Sequence, residues 1–239
     1  MSDTPSLLRR VVAEFVGTYM FVFVGAGSAV GGYLAFGTTN PAVALLIAAL
    51  GNGIGLGISI TATMGVSGGA LNPAVTIGLL VGGKLPPKDV VPYILAEVFG
   101  AILSAFTLAA LVVPRSAGNA VGWGAPNTAL VSGQSVAQAI GLEAVLTFFL
   151  VFVVYGAIVE AKEPRLAGLA VGLIVLTDVF IGGPLTGAAM NPARAIGPEV
   201  LSAALGLAGA LNLWYVFWVG PIIGGIIAAL VWRVLRSKA

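Results

Sequence analysis

Two stretches of similar sequence decide the fold: Ser67-Gly-Gly-Ala-Leu-Asn-Pro-Ala-Val-Thr76 and Thr186-Gly-Ala-Ala-Met-Asn-Pro-Ala-Arg194. Each contains the tripeptide Asn-Pro-Ala and leads into a short apolar stretch, at about 72–82 and 191–201. Asn is a preferred helix N-cap, and Pro is favoured at the first helical position. Each tripeptide therefore predicts the start of a short helix. We call them box 1 (Asn72, Pro73 and Ala74) and box 2 (Asn191, Pro192 and Ala193).

The composition indicates that the surrounding chain lies in a bilayer. Of 239 residues, 59% are hydrophobic and 8% are charged, whereas soluble domains carry about 25% charged residues. The runs 15–83 and 200–232 contain no charged residue. The chain has no Cys and no His, which removes thiol chemistry and most zinc or haem ligation. We therefore expect no cofactor and no metal site.

Six longer apolar segments predict membrane-spanning helices, because each can cross a hydrocarbon core of about 30 Å. They lie at about 10–30, 41–62, 90–112, 136–158, 166–183 and 211–232. The two box helices are too short to cross. The fold class predicted is an all-α membrane protein with six transmembrane helices and two re-entrant half-helices.

The two halves of the chain resemble each other. Glu14 and Thr18 match Glu143 and Thr147, and box 1 matches box 2. Each half has three spans, so the second half has to be inverted relative to the first, an architecture typical of transport proteins. The prediction is a single transmembrane channel domain over 1–239, with inverted repeats at about 10–112 and 136–232.

The basic residues predict the orientation. If the chain has six spans, nine basic residues share one side and Arg115 lies on the other. Cytoplasmic loops carry the excess of Lys and Arg. We therefore expect a multi-pass protein of the plasma membrane with both termini cytoplasmic. The nine residues are Arg9, Arg10, Lys84, Lys88, Lys162, Arg165, Arg233, Arg236 and Lys238.

Inversion brings the N-termini of the two box helices together at mid-membrane. Each helix N-terminus carries roughly half a positive charge, so the pair repels cations and disfavours a proton-conducting water chain. The side-chain amides of Asn72 and Asn191 can donate hydrogen bonds to a passing solute. The predicted cargo is small, neutral and able to accept hydrogen bonds.

The two box stretches resemble the paired signature loops of the aquaporin, or major intrinsic protein, family, in the form found in prokaryotic members. The resemblance covers the chain from Glu14 to about Gly225. It implies one pore per subunit and a homotetramer. Its implied partners are water, small uncharged solutes and the lipid bilayer, with no nucleic acid.

The same resemblance assigns a narrow selectivity filter. Arg194 matches the filter arginine, which donates hydrogen bonds to the solute and repels cations, and the other three positions fall on Asn52, Val179 and Ala188. Water-selective members usually have a bulky aromatic residue and a His where this chain has Asn52 and Val179. The filter is therefore expected to be wider and is similar to that of plant nodulin-26-like members.

Residues around the filter give conflicting indications of the cargo. Ala195 and the pair Phe217-Trp218 resemble the water-channel pattern, whereas Glu199 matches neither water nor glycerol channels. We predict a passive channel for water that also passes small neutral solutes such as glycerol, urea, ammonia or metalloid hydroxides. The alternatives are a dedicated solute facilitator with low water flux, or a coupled secondary transporter.

Glu14 and Glu143 lie near the starts of matching spans. Intramembrane carboxylates suggest proton coupling, but their matched Thr neighbours favour a structural role, in which each accepts backbone N–H bonds from a box loop. The boxes have no His, Cys, Ser–Lys or di-Asp constellation nearby, so we do not expect an enzyme. A structural junction protein on the same fold is a further alternative.

Overall fold

The computed structural model describes residues 5–37, 39–112, 114–127, 129–160 and 166–236. These residues form α-helices and no strand. A 3₁₀ turn at Gly122–Gly124 follows the short helix Arg115–Ala120, and a π-helical turn at Tyr155–Val159 follows the helix Val136–Val154. The helices are α1 (Leu7–Phe36), α2 (Pro41–Ser67), α3 (Pro73–Val81), α4 (Pro87–Leu111), α5 (Arg115–Ala120), α6 (Val136–Val154), α7 (Ala167–Gly182), α8 (Pro192–Ala204) and α9 (Val216–Arg236).

Within the described residues, five helices are long and apolar enough to cross a membrane, counting α6 with its π-helical turn. The remaining predicted span, the fifth, is α7, which is apolar but has only 16 residues. The last span begins at Val216 rather than near residue 211, because positive φ angles at Gly206 and Gly209 keep the preceding segment in turns. The half-helices α3 and α8 begin directly after Asn72 and Asn191.

The packing of the helices follows the internal repeat. The first helix of each half packs along the last one, α1 on α4 and α6 on α9, and α2 packs against its counterpart α7. Each half-helix packs mainly against the last span of the other half, α3 on α9 and α8 on α4. The two halves therefore interlock through the half-helices, which places both boxes at the centre of the bundle.

Glycines allow the matched helices to approach closely. A methyl group added to Gly53 would lie 2.6 Å from the carbonyl oxygen of Gly172, and one added to Gly57 would lie 2.7 Å from that of Gly168. This contact joins α2 to α7. Small residues four apart are typical of close helix packing in membranes, and their spacing is visible in the sequence.

Three features are absent from the sequence prediction: helix α5, the adjoining 3₁₀ turn and the π-helical turn after α6. The 3₁₀ turn holds Trp123, which is fully buried at a positive φ of 55° and donates its indole N–H to Asn119 Oδ1 (2.9 Å). Of the basic residues used to predict orientation, Lys162, Arg165 and Lys238 lie outside the described residues.

Candidate functional site

Both boxes cap the half-helix that follows them. The side-chain oxygen of Asn72 accepts from the backbone N–H of Ala74 at 2.8 Å. That of Asn191 accepts from Ala193 at 2.9 Å and from Arg194 at 3.1 Å. These bonds satisfy N–H groups that have no partner within the helix. Both Asn side chains are thereby fixed with the oxygen toward their own helix and the amide nitrogen away from it.

The amide nitrogens of the two boxes bond across the repeat. Asn72 Nδ2 donates to the carbonyl oxygen of Met190 at 2.9 Å, and Asn191 Nδ2 donates to that of Leu71 at 2.8 Å. Each contact joins one box to the residue just before the other, so the N-termini of α3 and α8 meet. A primary amide has two N–H donors, so each Asn has one further donor beyond this bond.

The residues before the boxes adopt an unusual backbone conformation. Leu71 and Met190 have positive φ angles of 48° and 51°, which cost free energy for residues with a side chain. At Leu71 this conformation is held by Glu14, whose two carboxylate oxygens accept from the backbone N–H groups of Ala70 (3.1 Å) and Leu71 (2.6 Å). Glu14 is fully buried.

Glu143 makes the corresponding contacts in the second half. Its carboxylate accepts from the backbone N–H groups of Ala189 (3.0 Å) and Met190 (2.8 Å) and from the Thr186 hydroxyl (2.6 Å). It too is fully buried. Hydrogen bonds to a charged acceptor are about twice as strong as neutral ones, so both box loops are anchored to a span of their own half.

A narrow cavity of about 10 Å³ lies where the boxes meet, close to the smallest void that holds one water molecule, about 10–15 Å³. Its apolar side chains come in repeat-related pairs. Phe21 and Leu150 are 129 positions apart, like Glu14 and Glu143. The lining includes Phe21, Leu56, Leu150, Val175, Asn52, Asn72 and Asn191. The cavity thus combines apolar walls with amide groups.

A wide cavity of about 400 Å³ adjoins it, and the four predicted filter residues divide between the two. Val179 and Arg194 line the wide cavity, Ala188 lines the narrow one, and Asn52 lines both. Asn52 therefore lies at the constriction between them. The helix and turn that the sequence prediction missed also contribute, since residues 120–122 and 124–127 line the wide cavity.

Arg194 extends from the first turn of α8 into this region and is only 7% exposed. Its Nε donates to Asn52 Oδ1 at 3.4 Å, while its Nη1 is buried and has no hydrogen-bond partner among the described residues. A buried cation costs several kcal/mol and is usually functional. The site therefore presents a fixed positive charge at the constriction.

Two contributors to the site were missed from the sequence. Thr186 binds the Glu143 carboxylate; the signal was available, because Thr186 and Ser67 both carry a hydroxyl five residues before a box Asn. Asn127 fixes the second box loop by donating its backbone N–H to Thr186 O (2.9 Å) and its Nδ2 to Leu185 O (3.2 Å). No local signal identifies Asn127, because its contacts span almost 60 positions.

Comparison with known proteins identifies the family. The family model described as "Major intrinsic protein" matches residues 1–232. Aquaporin TIP4-4 of Zea mays is 39% identical over 228 residues, covering 94% of this chain and 85% of the relative. Probable aquaporin TIP3-2 of Arabidopsis thaliana is 38% identical, covering 96% and 84%.

A solved structure, the aquaglyceroporin from Plasmodium falciparum, has the same fold. It superposes with a TM-score of 0.84 at 24% identity, and the match covers 97% of this chain and 98% of that one. The family model and the two relatives each match almost the whole length of the chain. The two Asn-Pro-Ala boxes that meet at the centre are consistent with this match. The chain belongs to the major intrinsic protein family.

Proposed function

We propose that the protein is a passive channel that conducts water and small neutral solutes, such as glycerol, urea, ammonia or metalloid hydroxides, and excludes protons and ions. The observation that carries this proposal is the meeting of two capped half-helix N-termini at a small cavity of about 10 Å³ that is lined by both box Asn residues. Members of its family are channels, and we propose that the chain is not an enzyme.

The boxes act as the central constriction. Asn72 and Asn191 each have one remaining N–H donor, which replaces part of the hydration of a solute in the narrow cavity. The apolar walls of the cavity form no hydrogen bond with the other side of the solute. The half-helix ends make this point positive, so a proton or cation meets an unfavourable potential. Pro73, Ala74, Pro192 and Ala193 start the two helices and keep the Asn residues in place.

Asn52, Val179, Ala188 and Arg194 form the filter. Arg194 donates hydrogen bonds to the solute and repels cations. Val179 and Ala188 are small and have no polar tip, which favours a filter wide enough for solutes larger than water. The cargo of the named relatives, water in the aquaporins and glycerol in the aquaglyceroporin, is consistent with this range.

Glu14 and Glu143 serve as scaffold carboxylates. Each is engaged by the backbone N–H groups of one box loop, which favours a structural role over proton coupling. The described residues hold no group of three potential metal ligands, and we propose a channel without cofactor or metal.

We further propose a homotetramer in the plasma membrane with both termini cytoplasmic. Contacts between chain segments that carry basic residues support the shared side of the termini: Lys84 and Arg236 both approach Glu160, and Arg10 pairs with Asp89. A separate apolar groove of about 330 Å³ lies between α2 and α7, and it supports contact of this face with another subunit or with lipid. Light scattering of the protein in detergent tests the tetramer.

The test of function is stopped-flow light scattering of proteoliposomes under osmotic gradients of an impermeant solute, glycerol and urea. We expect water and glycerol permeabilities well above those of empty vesicles. High glycerol permeability with water flux at the empty-vesicle level would instead support the solute facilitator. Saturable flux that follows an ion gradient would support the coupled transporter. The absence of any flux would contradict the proposal.

The positive filter charge is tested by Arg194→Val in the same vesicles. Removing a buried cation at the constriction lowers the barrier to protons and cations, and we expect their leak to rise about tenfold or more. The control is Arg233→Val, which removes an exposed arginine from α9. Equal proton leak in both variants would show that Arg194 does not act as the filter charge.

A further inference from the structure

Both polar atoms of the Asn52 side chain form hydrogen bonds with other groups of the protein. Its Nδ2 donates to the carbonyl oxygens of Ala48 (2.9 Å) and Gly25 (3.4 Å), and its Oδ1 accepts from Arg194 Nε (3.4 Å). The reverse orientation of the amide would place oxygen against two carbonyls and nitrogen against an N–H, so this network fixes the orientation. Asn52 is 3% exposed.

The carboxamide lies in a notch in α1 that exists because Gly25 has no side chain. A methyl group at Gly25 would lie 2.6 Å from Asn52 Oδ1, 3.1 Å from Cγ and 3.5 Å from Nδ2. Carbon and oxygen atoms that are not bonded do not approach to 2.6 Å without a shift. The crowded atoms are the end of one flexible side chain, so the carboxamide would move and the α1 backbone would stay.

Displacing the carboxamide would affect both cavities. The notch at Gly25 holds it against α1, and Asn52 lies between the wide and narrow cavities. A carboxamide forced out of the notch enters the space that solutes cross. It also leaves Arg194 Nε without an acceptor, at a guanidinium whose Nη1 is already unpaired. One methyl group on α1 would thus narrow the constriction and release the filter arginine.

We propose that Gly25 is a specificity-determining residue of the channel, acting through Asn52. Its missing side chain lets the Asn52 carboxamide fold back against α1, which fixes Arg194 and keeps the constriction open to solutes larger than water. This inference rests on the proposed channel function. It makes Gly25 a positioning residue, since the amide and not the glycine borders the pathway.

The test is a double-mutant cycle measured as the ratio of glycerol to water permeability in proteoliposomes. It uses the wild type, Gly25→Ala, Asn52→Ala and the double variant. We expect Gly25→Ala to lower the ratio about tenfold, the scale of one methyl-sized change in a selective pocket. In the Asn52→Ala background the same substitution meets no carboxamide, and the ratio should stay unchanged. Coupled residues show this kind of non-additivity.

The matched control is Gly27→Ala, on the same helix. A methyl group there would lie 3.3 Å from the end of the Leu108 side chain and away from the filter. We expect it to leave the permeability ratio unchanged. An equal fall of the ratio for Gly25→Ala in both backgrounds would place its effect in α1 packing and overturn the inference.

The yield of folded protein gives a second test of the clash between residue 25 and Asn52. If Gly25→Ala fails to yield folded protein, recovery of folded protein in the double variant supports a clash with Asn52, and failure of both variants overturns the inference. A wild type without water or glycerol flux would refute the proposed function itself. A conducting wild type with an additive cycle refutes only the role of Gly25.

Discussion

The two half-helices begin with the same backbone but are attached to the bundle by different chemistry. In the first half, the Thr76 hydroxyl donates to the buried Glu97 carboxylate at 2.7 Å. In the second half, Ala195 matches Thr76, because each lies four residues after a box Asn. Phe217 matches Glu97, because each lies three residues before a glycine, Gly220 and Gly100, at nearly the same distance beyond its box. Ala195 and Phe217 pack in an apolar cluster.

Among the contacts that attach the two half-helices, the shared ones lie at the box loops. Each half has an Asn cap, a left-handed residue before it and a carboxylate that accepts its loop N–H groups. The geometry at the centre therefore depends on these shared contacts, while the outer faces of α3 and α8 can be held by either polar or apolar packing. The predictions below test this division, beginning with the shared contacts.

The largest expected effect comes from the scaffold carboxylates. Glu143→Gln places an amide NH₂ against donors that now bond a carboxylate, and a buried donor left unpaired costs about 1–3 kcal/mol. Each carboxylate accepts two backbone N–H bonds, and Glu143 also accepts a short bond of 2.6 Å from the Thr186 hydroxyl, whereas the matching Ser67 hydroxyl interacts with Glu14 without a bond of that length. We expect Glu143→Gln to lower the thermal midpoint in detergent more than Glu14→Gln does.

The control for this pair is Glu160→Gln, the same change at a carboxylate outside the spans. It should leave the thermal midpoint nearly unchanged. If Glu14→Gln proves as harmful as Glu143→Gln, the Thr186 hydrogen bond adds nothing to the second loop, and the halves are anchored equally.

The second prediction concerns the polar attachment that only the first half has. Thr76→Val removes the hydroxyl and leaves the buried Glu97 with one bond fewer, which should cost about 1–3 kcal/mol. The double variant Thr76→Val/Glu97→Leu removes both polar groups and approaches the apolar arrangement of the second half. Replacing both partners by apolar groups of similar shape is often nearly neutral.

The measurement is the thermal midpoint of the two single variants and the double variant. We expect the double variant to lose less in thermal midpoint than the two single variants lose together, because the two residues are in contact. Strict additivity would mean that Thr76 and Glu97 do not depend on each other, and the polar contact would not distinguish the halves.

Much of the fold could be predicted because its signals are local. Uncharged runs mark the spans, and Asn followed by Pro marks both half-helix starts. The start of α9 was placed too early, because apolar residues continue through a segment that glycine turns keep out of the helix. Helix α5 and the buried Trp123 were missed, since a short polar loop gives no periodic signal.

The site divides in the same way. Asn72, Asn191 and Arg194 lie within the box stretches, so the motif alone identifies them. Asn52 was assigned to the filter through the family resemblance, but its folded-back conformation depends on a glycine 27 positions earlier and an arginine 142 positions later. Such contacts follow from the tertiary arrangement of three helices, and no local pattern predicts them.

A smaller effect is expected at the far end of α3. The Tyr155 hydroxyl donates to the Gly78 carbonyl oxygen at 2.8 Å, and its ring stacks on Trp232. Tyr155→Phe keeps the ring and loses one hydrogen bond, which should lower stability by about 0.5–1.5 kcal/mol. Thermal unfolding in detergent measures it.

The matched control is Tyr19→Phe, since that ring also stacks on an aromatic neighbour, Phe23. Its hydroxyl makes no hydrogen bond within the described part of the chain, so the substitution should leave the thermal midpoint unchanged. An equal shift in both variants would mean that the bond to Gly78 does not hold the end of α3.

The smallest effect should come from the ion pair beyond α3. Lys84 Nζ lies 3.2 Å from Glu160 Oε1, and this hydrogen bond lowers the pKa of the exposed Glu160 carboxyl below its ordinary value of 4.5. A group whose pKa is lower in the folded state adds stability above its unfolded pKa and loses it as pH falls through the folded value. Surface pairs of this kind contribute little.

Lys84→Met should therefore lower the thermal midpoint slightly at about pH 7, and the difference from the wild type should shrink as the pH falls through the lowered folded-state pKa of Glu160. Lys88→Met, which removes another exposed lysine four positions later in the first turn of α4, should show no such pH dependence. The second half offers no equivalent pair on α8 among the described residues. If the effect of Lys84→Met on the thermal midpoint persists at low pH, it arises from packing of the lysine stem and not from the ion pair. The ion pair would then not be one of the contacts that distinguish α3 from α8.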